Sequence, residues 1–427
     1  MYYYQIGKRI VACPQVLVHG ITIDETEARQ ASNLIYLNAV EKNDIDKRKT
    51  VYCINHPAYF SEASEDLWCL DTNQMDMMTA SLSDISDWML EKAKEGKVCG
   101  VSSLDGLDEK LSHYETGNSK KRVHITAMGD VGGTMLIGLS LLGGDVIDSI
   151  GIYDFNETLC RRWEHEINQI AYPWQYDKIP RVDVITEAQL FDCDVFIFCA
   201  SKAIPAVGNE AGDVRMAQLE ANTHIIAQYG KKAREAGFSG LFAVVSDPVD
   251  LLCQRVYAAS NCNAEDVWDG NGLLPEQVQG YGLGVMNSRA AYYAKENEQF
   301  ARFLTEGRAY GPHGSKLVIA DSVEHYNHEI SLELTRKTTE ANLEVRALGF
   351  KPYIAPALSS AAISILLTLR GEWHYSANYL GGIYMGCKNR TTSYGLELEH
   401  LPLPAQLLSR IKEAQDELKN FQVSAVK

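Results

Sequence analysis

The chain lacks any apolar run long enough to cross a bilayer. Its most apolar segments, Gly133–Gly144 and Ala355–Leu369, fall short of the roughly 20 residues a spanning helix needs. It has 10 cysteines but no Cys-x-x-Cys pair and no Cys/His cluster at zinc spacing. Scattered thiols in a chain of this length read as reduced and mostly buried, which excludes a disulfide scaffold and leaves no metal site to expect. The start, MYYYQIGKRIVACPQVLVHG, has aromatics where a secretory signal has basic residues. Cations are scarce as well. The 40 Lys plus Arg stand against 56 Asp plus Glu, a net charge of −16, which excludes nucleic acid or an anionic membrane as partners of the bulk field. A cytoplasmic, metal-free protein is expected.

Internal repeats and low-complexity tracts are also missing. The 427 residues, 46% of them apolar, suit two or three domains at roughly 100–200 residues each. The clearest boundary is the polar run LSHYETGNSKK (111–121). Residues 1–117 read as a small α/β unit without a catalytic signature. Strands are expected at Ile10–His19 and Thr50–Ile54, and helices at Asp24–Val40 and Asp84–Lys97. From residue 121 the pattern becomes βαβ: strands at 123–128, 147–153, 194–200 and 240–246, with a long helix over 214–236. Strands alternating with helices predict a doubly wound parallel sheet, a Rossmann domain over 121–262. A mixed α/β domain follows over 263–427 and closes with an amphipathic helix, 405–421.

The first βα turn reads Ala127-Met128-Gly129-Asp130-Val131-Gly132. A dinucleotide pyrophosphate needs a backbone it can approach closely and helix N-terminal amides aimed at its charge. Here the first glycine of G-x-G-x-x-G is Ala127, which is expected to keep φ negative and alter the turn slightly. Asp154 ends the second strand, where a carboxylate accepts ribose hydroxyls and repels a 2′-phosphate. The cofactor expected is therefore NAD.

In chain order, AMGDVGGT (127–134), DVRMAQLEAN (213–222), VVSDPVD (244–250), GYGLGVMNSR (280–289) and GPHG (311–314) resemble the lactate/malate dehydrogenase family. The 24-residue step from Arg289 to His313 is typical of it. The resemblance runs from residue 121 to the C-terminus and leaves the first 115 residues unexplained. It implies a lactate/malate dehydrogenase-like C-terminal domain, a homodimer or homotetramer, and hydride transfer between nicotinamide and a small carboxylated 2-hydroxy/2-oxo compound. His313 would be the acid/base, Arg289 the carboxylate anchor, and Arg215 a polarising cation on a mobile loop. Ala200, Ser201 and Val245 would line the cofactor. Ser359 or Ser360 would line the substrate or cap a helix.

The pattern breaks on the substrate side. The family's Asp three residues before the anchoring Arg, which pairs with the catalytic His, is Met286 here. Without a carboxylate the imidazolium would be less stable and the His pKa lower, unless another acid substitutes. The family's Ser-Asn-Pro reads Ser246-Asp247-Pro248. Asp247 either orients His313 in place of the missing Asp or meets an amine or hydroxyl on an unusual substrate. The loop 202–213 is longer than usual and lacks the residues that mark malate or lactate enzymes, and 263–279 looks inserted. Substrate identity does not carry over. The alternative is a catalytically silent NAD-binding protein with a structural or sensing role.

Overall fold

The computed structural model describes residues 1–40, 48–82, 85–114, 119–201, 214–314 and 316–425, without the side chains of 214–218 and 422–425. Strands Lys121–Thr126, Ile147–Tyr153, Arg181–Val184, Val195–Phe198, Leu241–Val244 and Val278–Gly280 pair in parallel. Numbered in sequence, they lie in the order 3-2-1-4-5-6, that of a dinucleotide-binding Rossmann sheet. Runs such as VFIF (195–198), buried throughout, are what a parallel strand covered on both faces requires. The expected boundary at 262 falls before the sixth strand, Val278–Gly280. Helix Asp130–Leu142 packs on the π-helical segment Pro356–Ile363. The approach is close: a Cβ on Gly138 would lie 2.8 Å from the Ala362 methyl carbon.

The sheet continues well beyond the Rossmann strands. Gly280 pairs antiparallel with Ala377 of His374–Leu380, and the meander runs on through Ile383–Thr392 to Gly395–Leu398. Strand Gly395–Leu398 then takes Val51–Ile54 of the N-terminal unit in parallel through Leu396 and Tyr52. Val98–Val101, Leu34–Leu37, Arg9–Cys13, Tyr2–Ile6 and Ile21–Thr22 complete a 15-stranded sheet. The largest core is shared: Tyr52 and Trp68 of the N-terminal unit cluster with Leu380, Met385, Leu398 and Ile411. A buried Lys49–Glu65 pair at 2.6 Å also reaches across, Lys49 Nζ donating to the Tyr379 carbonyl at 3.1 Å.

The helix expected over 24–40 is corrected. Only Glu25–Gln30 is helical, capped by the Asp24 side chain on Glu27 N. The chain turns at Ser32–Asn33, and Leu34–Leu37 becomes a strand with every residue buried. A short apolar run of that kind is hydrogen-bonded along both edges, between Arg9–Cys13 and Val98–Val101, which outweighs local helix propensity. The strand expected over 10–19 ends at Cys13. All ten cysteines are free. Among the described residues no helix is long and apolar enough to cross a membrane, and no group of three or more His, Cys, Asp or Glu could hold a metal ion.

Candidate active site

The C-terminal ends of the Rossmann strands bring the candidate residues to one edge. Ala127 adopts φ +70°, the left-handed conformation usually left to glycine. The expectation of a negative φ is therefore corrected. Tertiary contacts hold the turn: Ala127 N donates to the Tyr153 carbonyl at 2.8 Å, and a Cβ on Gly132 would lie 2.1 Å from the Ala127 oxygen. Gly129 caps helix Asp130–Leu142 without a side-chain hydrogen bond, and a Cβ built there meets nothing within 4 Å. The first helical N–H groups, those of Asp130 and Val131 included, lack an intrahelical partner, as at any helix start, and a ligand can approach the backbone at Gly129. Asp130 turns its carboxylate to Lys351 at 3.0 Å.

Asp154 is half-buried and holds this turn in place. Its carboxylate accepts from Met128 N at 2.8 Å and from Asn156 N at 2.9 Å, which leaves lone pairs over for a ligand hydroxyl. Farther along the edge, the Ala200 carbonyl accepts from Ser246 Oγ at 2.7 Å. Val245 N donates to the Phe198 carbonyl at 2.9 Å. Asn222, buried on helix Val214–Glu235, donates to Ser201 Oγ at 3.2 Å and to the Asp247 carbonyl at 2.8 Å. Arg215 lies in the first turn of that helix, its side chain outside the described residues, as is the loop 202–213.

His313 sits on the loop after strand Arg308–Tyr310. Gly311, at φ +87°, donates its N–H to the Gly386 carbonyl at 2.9 Å and turns the chain inward. His313 Nδ1 lies 2.8 Å from Asp247 Oδ1, the imidazole mostly buried and the carboxylate 63% exposed. An ionised carboxylate only accepts, so Nδ1 carries the hydrogen and Nε2 is left for proton transfer. Burial opposes charging of the ring, and Arg289 does too. The charge and hydrogen bond of Asp247 outweigh them, helped by Asp250, and the His313 pKa is raised. The fall expected for a His without its family partner does not occur.

Met286, at the position of that lost partner, is 3% exposed in an apolar cluster. Arg289, one turn on in helix Leu283–Glu296, is half-buried, with Nη1 3.6 Å from Met286 Sδ. Burial lowers its pKa against the pull of Tyr293 and Asp247, and among the described residues it has no carboxylate partner within ion-pair distance. Such a guanidinium is poised for an incoming anion.

One further site residue was not read from sequence, and one reading is corrected. Asp250, in the first turn of helix Val249–Ser260, is buried and accepts from His313 N at 3.2 Å. Burial pushes its carboxyl up to about 7 against that hydrogen bond. An acid at a helix start is ordinary, so only its place three residues after Asp247 hinted at more. Ser360 is corrected as a substrate-lining residue. It is 2% exposed, and its hydroxyl joins Val285 N to the Gly282 carbonyl inside the fold. Ser359 is half-buried, and its carbonyl accepts from Ser364 Oγ at 2.9 Å.

Comparison with known proteins fits this edge. The family model described as "lactate/malate dehydrogenase, NAD binding domain" matches residues 121–269. This stretch of the chain is thus similar to the NAD-binding domain of lactate/malate dehydrogenases. An L-lactate dehydrogenase of Corynebacterium glutamicum is 26% identical over 193 residues, 45% of this chain and 55% of that protein. One of Staphylococcus haemolyticus is 22% identical over 53% of this chain and 68% of its own. The chain thus spans about half the length of the first of these relatives. Among solved structures, the apo malate dehydrogenase of Picrophilus torridus covers 72% of this chain at a TM-score of 0.58 and 19% identity, with 98% of its own length matched. The lactate dehydrogenase of Eimeria maxima with NADH and oxamate covers 73%, with 96% of its own length matched, at a TM-score of 0.56 and 19% identity. The Rossmann family fold is shared, and the N-terminal 117 residues lie outside the matched family domain.

Proposed function

We propose that the protein is an NAD-dependent oxidoreductase acting on a small carboxylated 2-hydroxy/2-oxo compound. The observation that carries this reading is the 2.8 Å contact between His313 and Asp247 beside a half-buried Arg289 that has no carboxylate partner among the described residues. A merely nucleotide-binding relative has no use for an oriented imidazole close to such a guanidinium. The turn 127–132 and Asp154 fit the nucleotide: a helix starts at Gly129 with open space around that glycine, and the acid stands at the end of the second strand. When bound, the nicotinamide supplies or takes the hydride. His313 delivers or removes the hydroxyl proton from Nε2. Asp247 fixes the tautomer and stabilises the imidazolium. Arg289 grips the carboxylate in a two-pronged contact, and Arg215 is the candidate for polarising the reacting carbonyl.

The test is NADH oxidation by the purified chain against a panel of 2-oxo acids. Turnover with at least one member is expected, with Arg289→Ala raising KM about 10- to 100-fold, as the loss of a charged hydrogen bond implies. Nucleotide binding without turnover on any member would instead establish the silent binder. Absence of NADH binding would overturn both. Exposed apolar residues support the self-association that the resemblance implies. Ile137 and Leu142, with Ile354 and Ile363 on the neighbouring segment, stay exposed and suit a second copy of the chain. Sedimentation of the protein beside Leu142→Glu checks this: the dimer should weaken.

A further inference from the structure

A cavity of about 750 Å³ lies at the opposite, N-terminal ends of the Rossmann strands. Lys121, Asp194 and Leu241 border it from strands Lys121–Thr126, Val195–Phe198 and Leu241–Val244 or the residues just before them. Lys110 and Tyr114 close it from the N-terminal unit, and Leu369 to Glu372 from the C-terminal half. Its size is that of a small-molecule site. It belongs to none of the machinery described above, which sits at the other end of the same strands.

The charges around it are unevenly committed. Arg370 is held by Asp145 in a two-pronged pair at 2.7 and 2.8 Å. Asp194 accepts from Arg122 N at 2.7 Å. Glu276 is spent on the N–H groups of Thr50 and Val51 at 2.9 and 2.8 Å, and burial raises its carboxyl to about 7. Lys110, Lys120 and Lys121 have no ion-pair partner among the described residues, and Glu372 is the carboxylate left beside them. In a protein of net charge −16, three lysines lining one cavity with no ion-pair partner among the described residues stand out. Burial also lowers the pKa of Lys110, the cost of holding that cation away from water. Tyr114, Leu241 and Leu369 supply an apolar wall.

We propose that this cavity is a second ligand site, for an organic anion whose phosphate or carboxylate meets Lys110, Lys120 and Lys121 and whose apolar body lies against Tyr114 and Leu369. The site spans all three parts of the chain, so its ligand would bridge them.

The test titrates 1-naphthyl phosphate and 1-naphthoate into the full chain under saturating NADH, by calorimetry, with 1-naphthol as the neutral control. At least one anion should bind, and the double variant Lys110→Gln/Lys121→Gln should weaken it at least tenfold while leaving NADH affinity unchanged. A variant-free readout keeps the test independent of folding: the bound anion should protect Lys110, Lys120 and Lys121 from amine labelling, read by peptide mass. The arm that binds distinguishes phosphate from carboxylate. No binding by either anion, displacement by NADH, equal binding of 1-naphthol, or unprotected lysines would each overturn the proposal.

Discussion

At the scale of single residues, the chemistry turns on which carboxylate meets His313. Asp247 holds the imidazolium above its ordinary pKa against burial and Arg289. Under the proposed function the imidazolium donates the proton in reduction, so the rate should fall on the alkaline side of this pKa. Asp247→Asn keeps the shape and removes the charge. We expect kcat for reduction to drop about 10²- to 10⁴-fold, the range of a mispositioned acid/base, with the alkaline limb moving to lower pH. A pH–rate profile checks both, and an unmoved limb would remove Asp247 from the role. Asp250 makes a different prediction. Its carboxyl is raised to about 7, so between about pH 4 and 7 the folded state holds a proton that the unfolded chain releases. Stability therefore falls as pH rises through that window, by up to about 1.4 kcal/mol per unit. Glu276 acts in the same direction. Asp250→Asn should flatten part of the slope, measured by urea unfolding at pH 5 and pH 7.5.

At the scale of elements, the first βα turn shows what local sequence can and cannot disclose. The strand, the glycines and Asp154 are legible because the βαβ pattern and its turn chemistry are contiguous in sequence. The φ of Ala127 is not, since it is imposed by the Tyr153 carbonyl and by Gly132 packed against the Ala127 oxygen. An alanine held left-handed costs about 1 kcal/mol or more relative to glycine, partly offset by glycine's freer unfolded chain. Ala127→Gly should therefore raise the melting temperature, by up to about 1 kcal/mol of stability, with NADH affinity unchanged. Gly132→Ala should do the reverse: its Cβ meets a backbone atom at 2.1 Å, and overpacking of this kind costs about 1–3 kcal/mol. Thermal melts of the two variants check the pair. The same logic explains strand Leu34–Leu37, whose partners are Arg9–Cys13 and the distant Val98–Val101. Asp247 and His313, 66 residues apart, could be suspected by residue type, but only the fold brings the carboxylate to the imidazole. Met286 and Ser360 read as site positions in the family pattern, and both are core residues here.

At the scale of the whole molecule, the N-terminal unit is part of the sheet and not an appendage. Strand Gly395–Leu398 is buried at every residue because Val51–Ile54 covers its outer edge and the shared core closes over it. Removing residues 1–117 would open that edge and strip one side of the core, leaving a strand ready to pair with other chains. It would also leave the Glu276 carboxylate without the Thr50 and Val51 amides, and the Tyr379 carbonyl without Lys49. The truncated protein should thus aggregate, whereas the full chain should unfold in one calorimetric transition, its N-terminal unit melting with the Rossmann half. Glu65→Gln tests the junction more gently. It leaves Lys49 charged and buried without its partner, which costs about 3–5 kcal/mol and should lower the whole transition instead of splitting it. A soluble, monodisperse truncation with an unchanged melting temperature, or two separate transitions in the full chain, would make the N-terminal unit an independent domain. The continuity of sheet and core from Tyr52 to Leu396 argues instead for aggregation of the truncated protein and a single transition in the full chain.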